Sequence, residues 1–243
     1  MKKDIFKPTN KINIPYYFDS TVFKPNLTSE LIVKGIEKNK NLFNKKNILD
    51  MGCGTGVIGI SVKKKILTKS NIFFSDISDS AIKLTRKNCI LNNIDFEVNK
   101  SSLLNGWNNK KFDLIINDVS AISSFFSKKK IWYNKYIPSD TGEDGTKQVT
   151  RFLNQSRKLN INNIIMPLIS LCNINKIKKI FSEESFKIFS LISQDWPLPD
   201  KFVLKEKKNL LNLKKKKHIN FRELYGYFIA NTEVLYLEKK SKL

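Results

Sequence analysis

The stretch Ile48-Leu49-Asp50-Met51-Gly52-Cys53-Gly54-Thr55-Gly56 joins a short apolar strand to a loop in which every second residue is glycine. Glycine carries no side chain, so the backbone can turn sharply there and a ligand can approach it closely. Residues 57–62 are mainly apolar and begin a helix, whose N-terminal amides would face that ligand. The stretch therefore predicts a strand, a ligand-binding turn and a helix, which is the first unit of an α/β fold.

A second strand and a second acid follow. Residues 71–75 predict the strand, and Asp76 ends it at a position from which a carboxylate binds ribose hydroxyls. The Gly-x-Gly-x-x-Gly spacing that begins at Gly54 also satisfies the dinucleotide fingerprint, so a nicotinamide or flavin site is one alternative. Asp50 disfavours it, because a carboxylate just before the glycines repels a pyrophosphate and attracts a cation. A tight turn without a ligand is the other alternative.

The spacing Asp-x-Gly-x-Gly-x-Gly from Asp50 to Gly56, followed by Asp76, resembles motif I of class I S-adenosylmethionine-dependent methyltransferases. Their cofactor carries a sulfonium and an amino group, which suit nearby acids. Residues 22–31 and the stretch Gly142-Glu143-Asp144-Gly145 are similar to segments of one branch of this family. That branch contains the release-factor glutamine methyltransferases and their ribosomal-protein and RNA-modifying relatives.

The resemblance implies S-adenosylmethionine as the cofactor and a set of residues that bind it. Its methionine part would lie on the glycine loop, and its ribose on Asp76. Ser102 follows the third predicted strand, where the branch has an adenine-binding acid. The predicted cofactor-binding residues are Asp50, Gly52, Gly54, Gly56, Asp76, Ile77, Ser102 and Asn117.

The chain departs from the branch after the fourth predicted strand. The branch has Asn-Pro-Pro-Tyr (or Phe) there, in which the asparagine and a proline carbonyl bind a planar NH2 group and the ring stacks on it. The stretch Asn117-Asp118-Val119-Ser120 keeps only the asparagine. Asn117 and Asp118 are the predicted catalytic residues.

Three interpretations of that departure remain open. The acceptor could differ, with Asp118 accepting a hydrogen bond or a proton. Amide methylation could continue in a looser site, or catalysis could be lost while cofactor or partner binding persists. A fourth interpretation gives Asp118 no chemistry and makes it the cap of the next helix.

Strands and helices alternate downstream of Asp76. The predicted elements are a helix over 81–89, strands over 94–98 and 112–117, a helix over 146–159, a strand over 163–166, a helix over 175–182, a strand over 187–192, and extended edge segments over 225–230 and 233–237. Such alternation requires a mostly parallel sheet with helices on both faces. We predict a Rossmann-like class I methyltransferase fold of the α/β class, whose last strand is antiparallel, as the resemblance implies. Residues 1–46 would form a substrate-side segment and first helix packed on the core, and residues 47–243 the S-adenosylmethionine-binding domain.

Length and composition fit one α/β core and exclude several classes. The chain has 243 residues, of which 41% are hydrophobic. It lacks an apolar run of about 18 residues and begins without the apolar segment of a signal peptide. Cys53, Cys89 and Cys172 are odd in number and widely spaced, so neither a metal site nor a disulfide is predicted and a cytoplasmic location is expected. His218 is the single histidine, which argues against a histidine-based triad.

The net charge of +22 favours an anionic partner. However, an AT-rich genome also produces a chain crowded with lysine, asparagine and isoleucine, whatever its function. The most basic segment is the predicted return loop from Lys201 to Lys217, which the topology places over the active-site edge. Within it, the stretch from Lys205 to Lys217 is the candidate nucleic-acid contact, and a merely solvated loop is the alternative.

The function predicted from these features is S-adenosylmethionine-dependent methyl transfer. Its acceptor would be a protein, an RNA or a small molecule. The alternative from another class is a non-catalytic cofactor-binding or RNA-binding module on the same fold.

Overall fold

The computed structural model describes residues 1–129, 131–132 and 141–240. The strands are β1 (Lys2–Thr9), β2 (Ile12–Phe18), β3 (Asn47–Met51), β4 (Asn71–Asp76), β5 (Glu97–Lys100), β6 (Leu114–Asn117), β7 (Asn163–Ile169), β8 (Phe186–Pro197), β9 (Arg222–Leu224) and β10 (Tyr227–Lys239). The α-helices are α1 (Leu27–Lys38), α2 (Val57–Ser61), α3 (Asp79–Leu91), α4 (Ser124–Lys128), α5 (Lys147–Lys158), α6 (Ile174–Glu183) and α7 (Asp200–Lys215). A 3-10 turn follows α1, and a π-helical turn over Val62–Ile66 extends α2.

The main sheet has the strand order β5-β4-β3-β6-β7-β10-β8, and β9 pairs with β10. The strands from β5 to β7 in that order are parallel. Strand β10 runs antiparallel to both of its long neighbours, β7 and β8. The predicted fold class is therefore confirmed, including the antiparallel last strand. The carboxyl ends of the parallel strands share one edge, which is where ligands bind in such sheets.

Apolar clusters fill both faces of the sheet. One cluster joins Ile48 of β3 to Ile60 after the glycine loop and to Phe74 of β4. The β1–β2 hairpin contributes Ile14 and Tyr16 to that same cluster, so this part of the predicted N-terminal segment is packed on the core. The other face is covered mainly by α5 and α6, which carry Phe152 and Phe181 among other buried side chains.

Two predicted strands begin later than expected. The strand predicted over 94–98 is observed as β5 at Glu97–Lys100. Residues before it end α3 instead, since Asn93 has a φ of +52° and the Ile94 amide donates to the Cys89 carbonyl. The strand predicted over 112–117 begins at Leu114, because Asp113 accepts hydrogen bonds from the backbone amides that open β3.

The segments predicted over 225–230 and 233–237 are mainly extended, as expected, but the prediction that they lie at the sheet edge was wrong. They belong mainly to β10, a single 13-residue strand inside the sheet, and β8 lies at the edge. The polar pair Asn231-Thr232 interrupts the apolar pattern without breaking the strand. Its side chains are used by the sheet, since Thr232 Oγ1 accepts from Trp196 Nε1 at 2.9 Å and Asn231 Nδ2 donates to Asp195.

The prediction of a lysine-rich loop from Lys201 to Lys217 was wrong, because most of this segment forms helix α7. Phe202, Glu206 and Leu210 recur at helical spacing, and the last two are buried. Leu210 packs with Phe126 of α4 and Phe228 of β10 in one apolar cluster. The helix is therefore fixed beside the loop that follows β6. In the described parts of the chain, no helix has the length and apolar character needed to cross a membrane.

Candidate active site

The glycine loop folds as its spacing predicts. Gly52, Gly54 and Gly56 have φ angles of +76°, +54° and +79°, which residues with a side chain rarely adopt. The amides of Gly52 and Cys53 both donate to the Ser75 carbonyl, at 2.8 and 3.0 Å. These bonds join the loop after β3 to the end of β4, so the two predicted cofactor segments form one rigid unit.

Asp76 completes that unit with its side chain. One carboxylate oxygen accepts from the Gly54 amide at 3.0 Å, and the other accepts from the Ser78 amide at 2.9 Å. Burial raises the pKa of Asp76, although these amide bonds oppose the rise. Its carboxylate also lines the cavity above the loop. Each oxygen therefore retains a lone pair for a ligand hydroxyl.

Asp50 lies behind the loop and is fully buried. One of its carboxylate oxygens accepts from the Gly59 amide at 2.8 Å, which ties the end of β3 to α2. The other, Oδ1, has no hydrogen-bond partner among the described residues. Burial raises the pKa of Asp50 to about 7; the Gly59 bond opposes that rise and the nearby charge of Asp76 adds to it.

A cavity of about 470 Å³ opens at the carboxyl edge of the sheet. Of the predicted cofactor-binding residues, Gly52, Gly54, Asp76, Ile77 and Ser102 line it. The remaining predicted residues, Asp50, Gly56 and Asn117, are not among its lining residues.

Gly56 faces helix α3 rather than the cavity. A Cβ atom on it would come within 3.0 Å of the Thr85 methyl group. A Cβ on Gly54 would meet nothing closer than 3.8 Å, so the space beside Gly54 is open on the cavity side.

The segment after β5 presents two serines at the cavity. Ser101 is engaged locally, since its hydroxyl donates to the Leu103 carbonyl at 2.8 Å and accepts from the Gly106 amide at 3.1 Å. Ser102 also lines the cavity. A serine hydroxyl at this position offers both a donor and an acceptor.

Residues 117–120 comprise the last residue of β6, which is buried, and the three residues after it, which line the cavity. The Asn117 amide is 2% exposed, and its oxygen accepts from the Val119 backbone amide at 3.1 Å. The bond holds the loop so that Asp118, Val119 and Ser120 line the cavity. Asn117 therefore lies beneath the loop that follows β6 and does not line the cavity.

Asp118 lines the cavity, and its carboxyl group accepts no hydrogen bond from any residue that the structure describes. Burial raises its pKa well above the ordinary range, and the negative charges of Asp50 and Asp76 raise it further. The interpretation that Asp118 caps the next helix was wrong. Ser123 caps α4, and its hydroxyl accepts from the Phe125 amide.

Sequence reasoning missed part of the cavity wall. Gln148 and Arg151 of α5 line the cavity, and their i, i+3 spacing places both on one helix face. The Gly-Glu-Asp-Gly stretch positions this helix, because its Gly142 carbonyl accepts from the Ser124 amide at 2.9 Å. Amphipathic spacing after that stretch was the available signal. Phe23 and Pro25, which precede α1, close the cavity from the other side.

A glycine loop after the first parallel strand, an acid at the end of the second and an asparagine at the end of the fourth define the class I methyltransferase arrangement. The comparisons agree. Residues 21–118 match the family model described as "Methyltransferase small domain". The release factor glutamine methyltransferase of Flavobacterium psychrophilum is 31% identical over 134 residues, which are 54% of this chain and 46% of that relative. The chain therefore matches less than half the length of that protein.

Solved structures agree on the fold. The ribosomal protein L11 methylase of Lactobacillus delbrueckii subsp. bulgaricus gives a TM-score of 0.58 at 18% identity, covering 97% of this chain and 99% of that one. The T. thermophilus 16S rRNA N2 G1207 methyltransferase, solved with AdoMet and guanosine, gives 0.60 at 10% identity and covers 98% of this chain and 50% of that one. The resemblance to class I methyltransferases is confirmed, and the comparisons support S-adenosylmethionine as the cofactor.

Proposed function

We propose that this chain transfers a methyl group from S-adenosylmethionine to an acceptor held at the loop after β6. One observation carries the proposal: the glycine loop, Asp76 and Asp118 surround a single cavity at the carboxyl edge of the sheet. The class of relatives supports the same reaction.

The donor set of the cavity suits this cofactor. Three acids, Asp50, Asp76 and Asp118, lie close enough to influence one another's ionisation. A site rich in carboxylates in a chain of net charge +22 favours a ligand that carries positive charge, as the sulfonium and ammonium groups do. The unpartnered Oδ1 atom of Asp50 strengthens that preference, since its charge is not compensated within the described chain.

Each predicted residue has a part in binding. The glycine loop would hold the methionine part, Asp76 the ribose hydroxyls, and Ile77 and Ser102 the adenine side of the cavity. Asp50 would act from behind the loop, by its charge and by fixing the Gly59 amide. When bound, the cofactor supplies an already activated methyl group, so the protein has to bring the acceptor into line with it.

Acceptor positioning falls to the loop after β6. Asn117 would fix the loop conformation through the Val119 amide, and Asp118 would accept a hydrogen bond or a proton from the acceptor. Relatives act on protein or RNA, and the acceptor of this chain is proposed to belong to one of these classes. A small-molecule acceptor remains the further alternative from the sequence.

Calorimetry of the purified chain tests the cofactor assignment directly. S-Adenosylmethionine should bind, and NAD should not, because Asp50 behind the glycine loop and Asp76 beside it would repel a pyrophosphate. Tight NAD binding without S-adenosylmethionine binding would overturn the assignment. Turnover is tested by S-adenosylhomocysteine production in lysate of a deletion strain, with and without the added protein.

One observation favours a second candidate function. The loop after β6 lacks the prolines and the aromatic ring of the related branch. A non-catalytic module that binds the cofactor or RNA on the same fold would fit that loss. Cofactor binding without any S-adenosylhomocysteine production in the lysate assay would favour it over the enzyme.

We further propose that the stretch from Lys205 to Lys217 contacts nucleic acid. Helix α7 starts where β8 ends, at the cavity edge of the sheet, and packs beside α4. Changing Lys214, Lys215, Lys216 and Lys217 to Gln should weaken binding of total RNA and reduce its salt slope by up to about three units, since single strands contribute about 0.7 per phosphate contact.

A matched control changes Lys38, Lys40, Lys45 and Lys46 to Gln, which removes the same charge from the opposite edge. Helix α1 begins at the cavity and ends near Lys38, and Lys46 directly precedes β3. If both fourfold variants weaken RNA binding equally, the contact is general charge attraction and the assignment to α7 fails.

Residues 1–46 would act as a substrate-side segment of the domain over 47–243, which is supported by Phe23 and Pro25 in the cavity wall. The protein would work in the cytoplasm, where translation-related acceptors are found and cysteines remain reduced. Fractionation of the source cells tests this cytoplasmic location.

A further inference from the structure

The hairpin formed by β9 and β10 ends in an exposed aromatic residue. Leu224 pairs with Tyr227, so Tyr225 and Gly226 are the two residues of the turn. Both have positive φ angles, +48° and +82°, as in a type I′ turn. Tyr225 is 91% exposed and Tyr227 is 48% exposed.

A tyrosine is an unfavourable choice at this position. Positive φ favours glycine, asparagine and aspartate, and Asn-Gly is the commonest pair in such turns. Tyr225 therefore occupies a strained conformation, and no described residue makes a ring contact with it in return. Strained backbone of this kind clusters at functional sites, ligand clamps among them.

The hairpin stands above the cavity edge of the sheet. Strand β10 pairs with the end of β7 at Thr232 and Ile169, and it continues beyond that point toward Tyr227. Five residues of antiparallel strand extend about 17 Å. Pro167 and Ile169 of β7 line the cavity, so the tip of the hairpin projects from the same edge of the sheet at which the cavity opens.

Lysines lie at the base of this hairpin. Lys214 lies with its Nζ atom 4.6 Å from the centre of the Phe221 ring, and Phe221 stacks on Phe228 at 4.3 Å. Lys216 and Lys217 follow α7 and are exposed. The Arg222 guanidinium does not add free charge, because it is paired with Asp195. Glu223 of β9 is exposed and negatively charged. The positive charge of this surface therefore comes from the lysines.

We call residues 214–227, which comprise these lysines and the hairpin tip, the prong. We propose that the prong binds an unpaired stretch of RNA and presents it to the cavity. Lysines at the base would contact phosphates, and the rings of Tyr225 and Tyr227 would stack on bases, which is how single-stranded nucleic acid is bound without sequence preference. This inference rests on the proposed function, because the RNA would carry or adjoin the methyl acceptor. It adds the stacking rings that the lysine stretch itself lacks.

Fluorescence anisotropy with a labelled 12-nucleotide unpaired RNA tests the proposal on the full chain. Tyr225→Asn removes the ring and supplies a residue that the turn favours, so folding should be preserved. It should weaken RNA binding about tenfold without changing the salt slope. Tyr225→Phe should bind like the wild type. Ile90→Asn, at an exposed position of α3, is the matched control and should bind normally.

A charge variant separates stacking from phosphate contact. Lys216→Gln combined with Lys217→Asn should reduce the salt slope by about 1.4 units, the value expected for two phosphate contacts on a single strand. Absence of RNA binding by the wild type, or unchanged affinity of Tyr225→Asn, would overturn the proposal. So would a loss confined to binding of a protein acceptor, which would identify the prong as a protein-docking element. A DNA strand of the same sequence that binds more tightly than the RNA would overturn the choice of RNA.

The cofactor assay keeps this test distinct from the proposed function. Tyr225→Asn should bind S-adenosylmethionine with wild-type affinity in calorimetry, because the tip lies outside the cavity. Failure of the wild type to bind the cofactor overturns the methyltransferase proposal and leaves the RNA result to be judged separately. RNA binding lost together with cofactor binding in Tyr225→Asn would contradict the separation of the two surfaces.

Discussion

The proposed cofactor half and the proposed acceptor half of the cavity are built in different ways. The cofactor half comes mainly from one continuous stretch, residues 50–78, and most of its polar groups are bonded to each other through Ser75, Asp76 and Gly59. The acceptor half is assembled from separate segments before α1, after β6 and on α5. In that half the Asp118 carboxyl group has no bonding partner within the described chain.

This difference teaches where specificity can change. A loop whose Gly52, Cys53 and Gly54 amides are bonded to the end of β4 tolerates few substitutions, so the proposed cofactor half keeps a recognisable pattern. A wall made of distant segments can exchange single side chains without disturbing the sheet. The loss of two prolines and an aromatic ring after β6 is a change of that kind.

The largest effect is expected from Asp76→Ala, which breaks the cofactor half. It would remove the proposed charge-assisted hydrogen bonds to the ribose, and it would free the Gly54 and Ser78 amides. Affinity for S-adenosylmethionine should fall between about tenfold and a hundredfold, as calorimetry would measure. Asp79→Ala is the control, because Asp79 is exposed and paired with Lys100. Equal losses in both variants would show that the effect is general charge rather than the predicted contact.

The central sheet was predictable because its signals are local. Alternating apolar strands and capped helices fix each βα unit, and parallel strands then have few arrangements open to them. Strand β10 was placed at the edge because Asn231 and Thr232 interrupt its pattern, and only their partners on β8 explain why they are tolerated. The end of α3 was predictable from Asn92 and Asn93, but β5 begins later than expected because the Ile94 amide still bonds to the Cys89 carbonyl of the helix.

Asn117→Ala should break the acceptor half while sparing the cofactor half. The Val119 amide would lose its acceptor, and the loop that lines the cavity would no longer be fixed. Turnover should fall about tenfold or more, and cofactor affinity should stay close to wild type. Unchanged turnover in the S-adenosylhomocysteine assay would mean that the asparagine is a relic and that the acceptor is held elsewhere.

The candidate site was predicted in part. The glycines and Asp76 follow from spacing and topology, since both segments end at one sheet edge. Arg151 and Phe23 were missed because their approach to the cavity depends on packing between segments far apart in sequence, and the helical spacing of Arg151 indicates only which helix face it shares with Gln148. Asn117 lies among the predicted contacts, yet burial directs its amide oxygen to Val119.

A smaller effect is expected in the pH dependence of S-adenosylmethionine binding, which tests the part of Asp50 in the proposed cofactor half. With a pKa of about 7, Asp50 is protonated below neutrality and ionised above it. A cationic ligand favours the ionised form, so affinity for S-adenosylmethionine should rise about tenfold from pH 6 to pH 8 and protons should be released on binding. Asp50→Asn retains an acceptor for the Gly59 amide and should reduce this dependence, leaving the part that comes from Asp118 and Asp76. Calorimetry in two buffers of different ionisation enthalpy measures the released protons, and none would contradict the role of Asp50.

The smallest effect is expected in the stability of Asp118→Asn. Burial and the charges of Asp50 and Asp76 raise the pKa of Asp118 in the folded state, so its stabilising contribution is complete below about pH 4 and is lost as the pH rises. The asparagine carries no charge, and the variant should therefore be more stable than the wild type at pH 8. The two proteins should be equally stable at pH 4. Denaturant unfolding at both pH values measures the difference. If turnover falls in this stabilised variant, the carboxyl group acts on the acceptor; if the variant is instead less stable at pH 8, Asp118 serves the fold and the acceptor half needs another catalytic group.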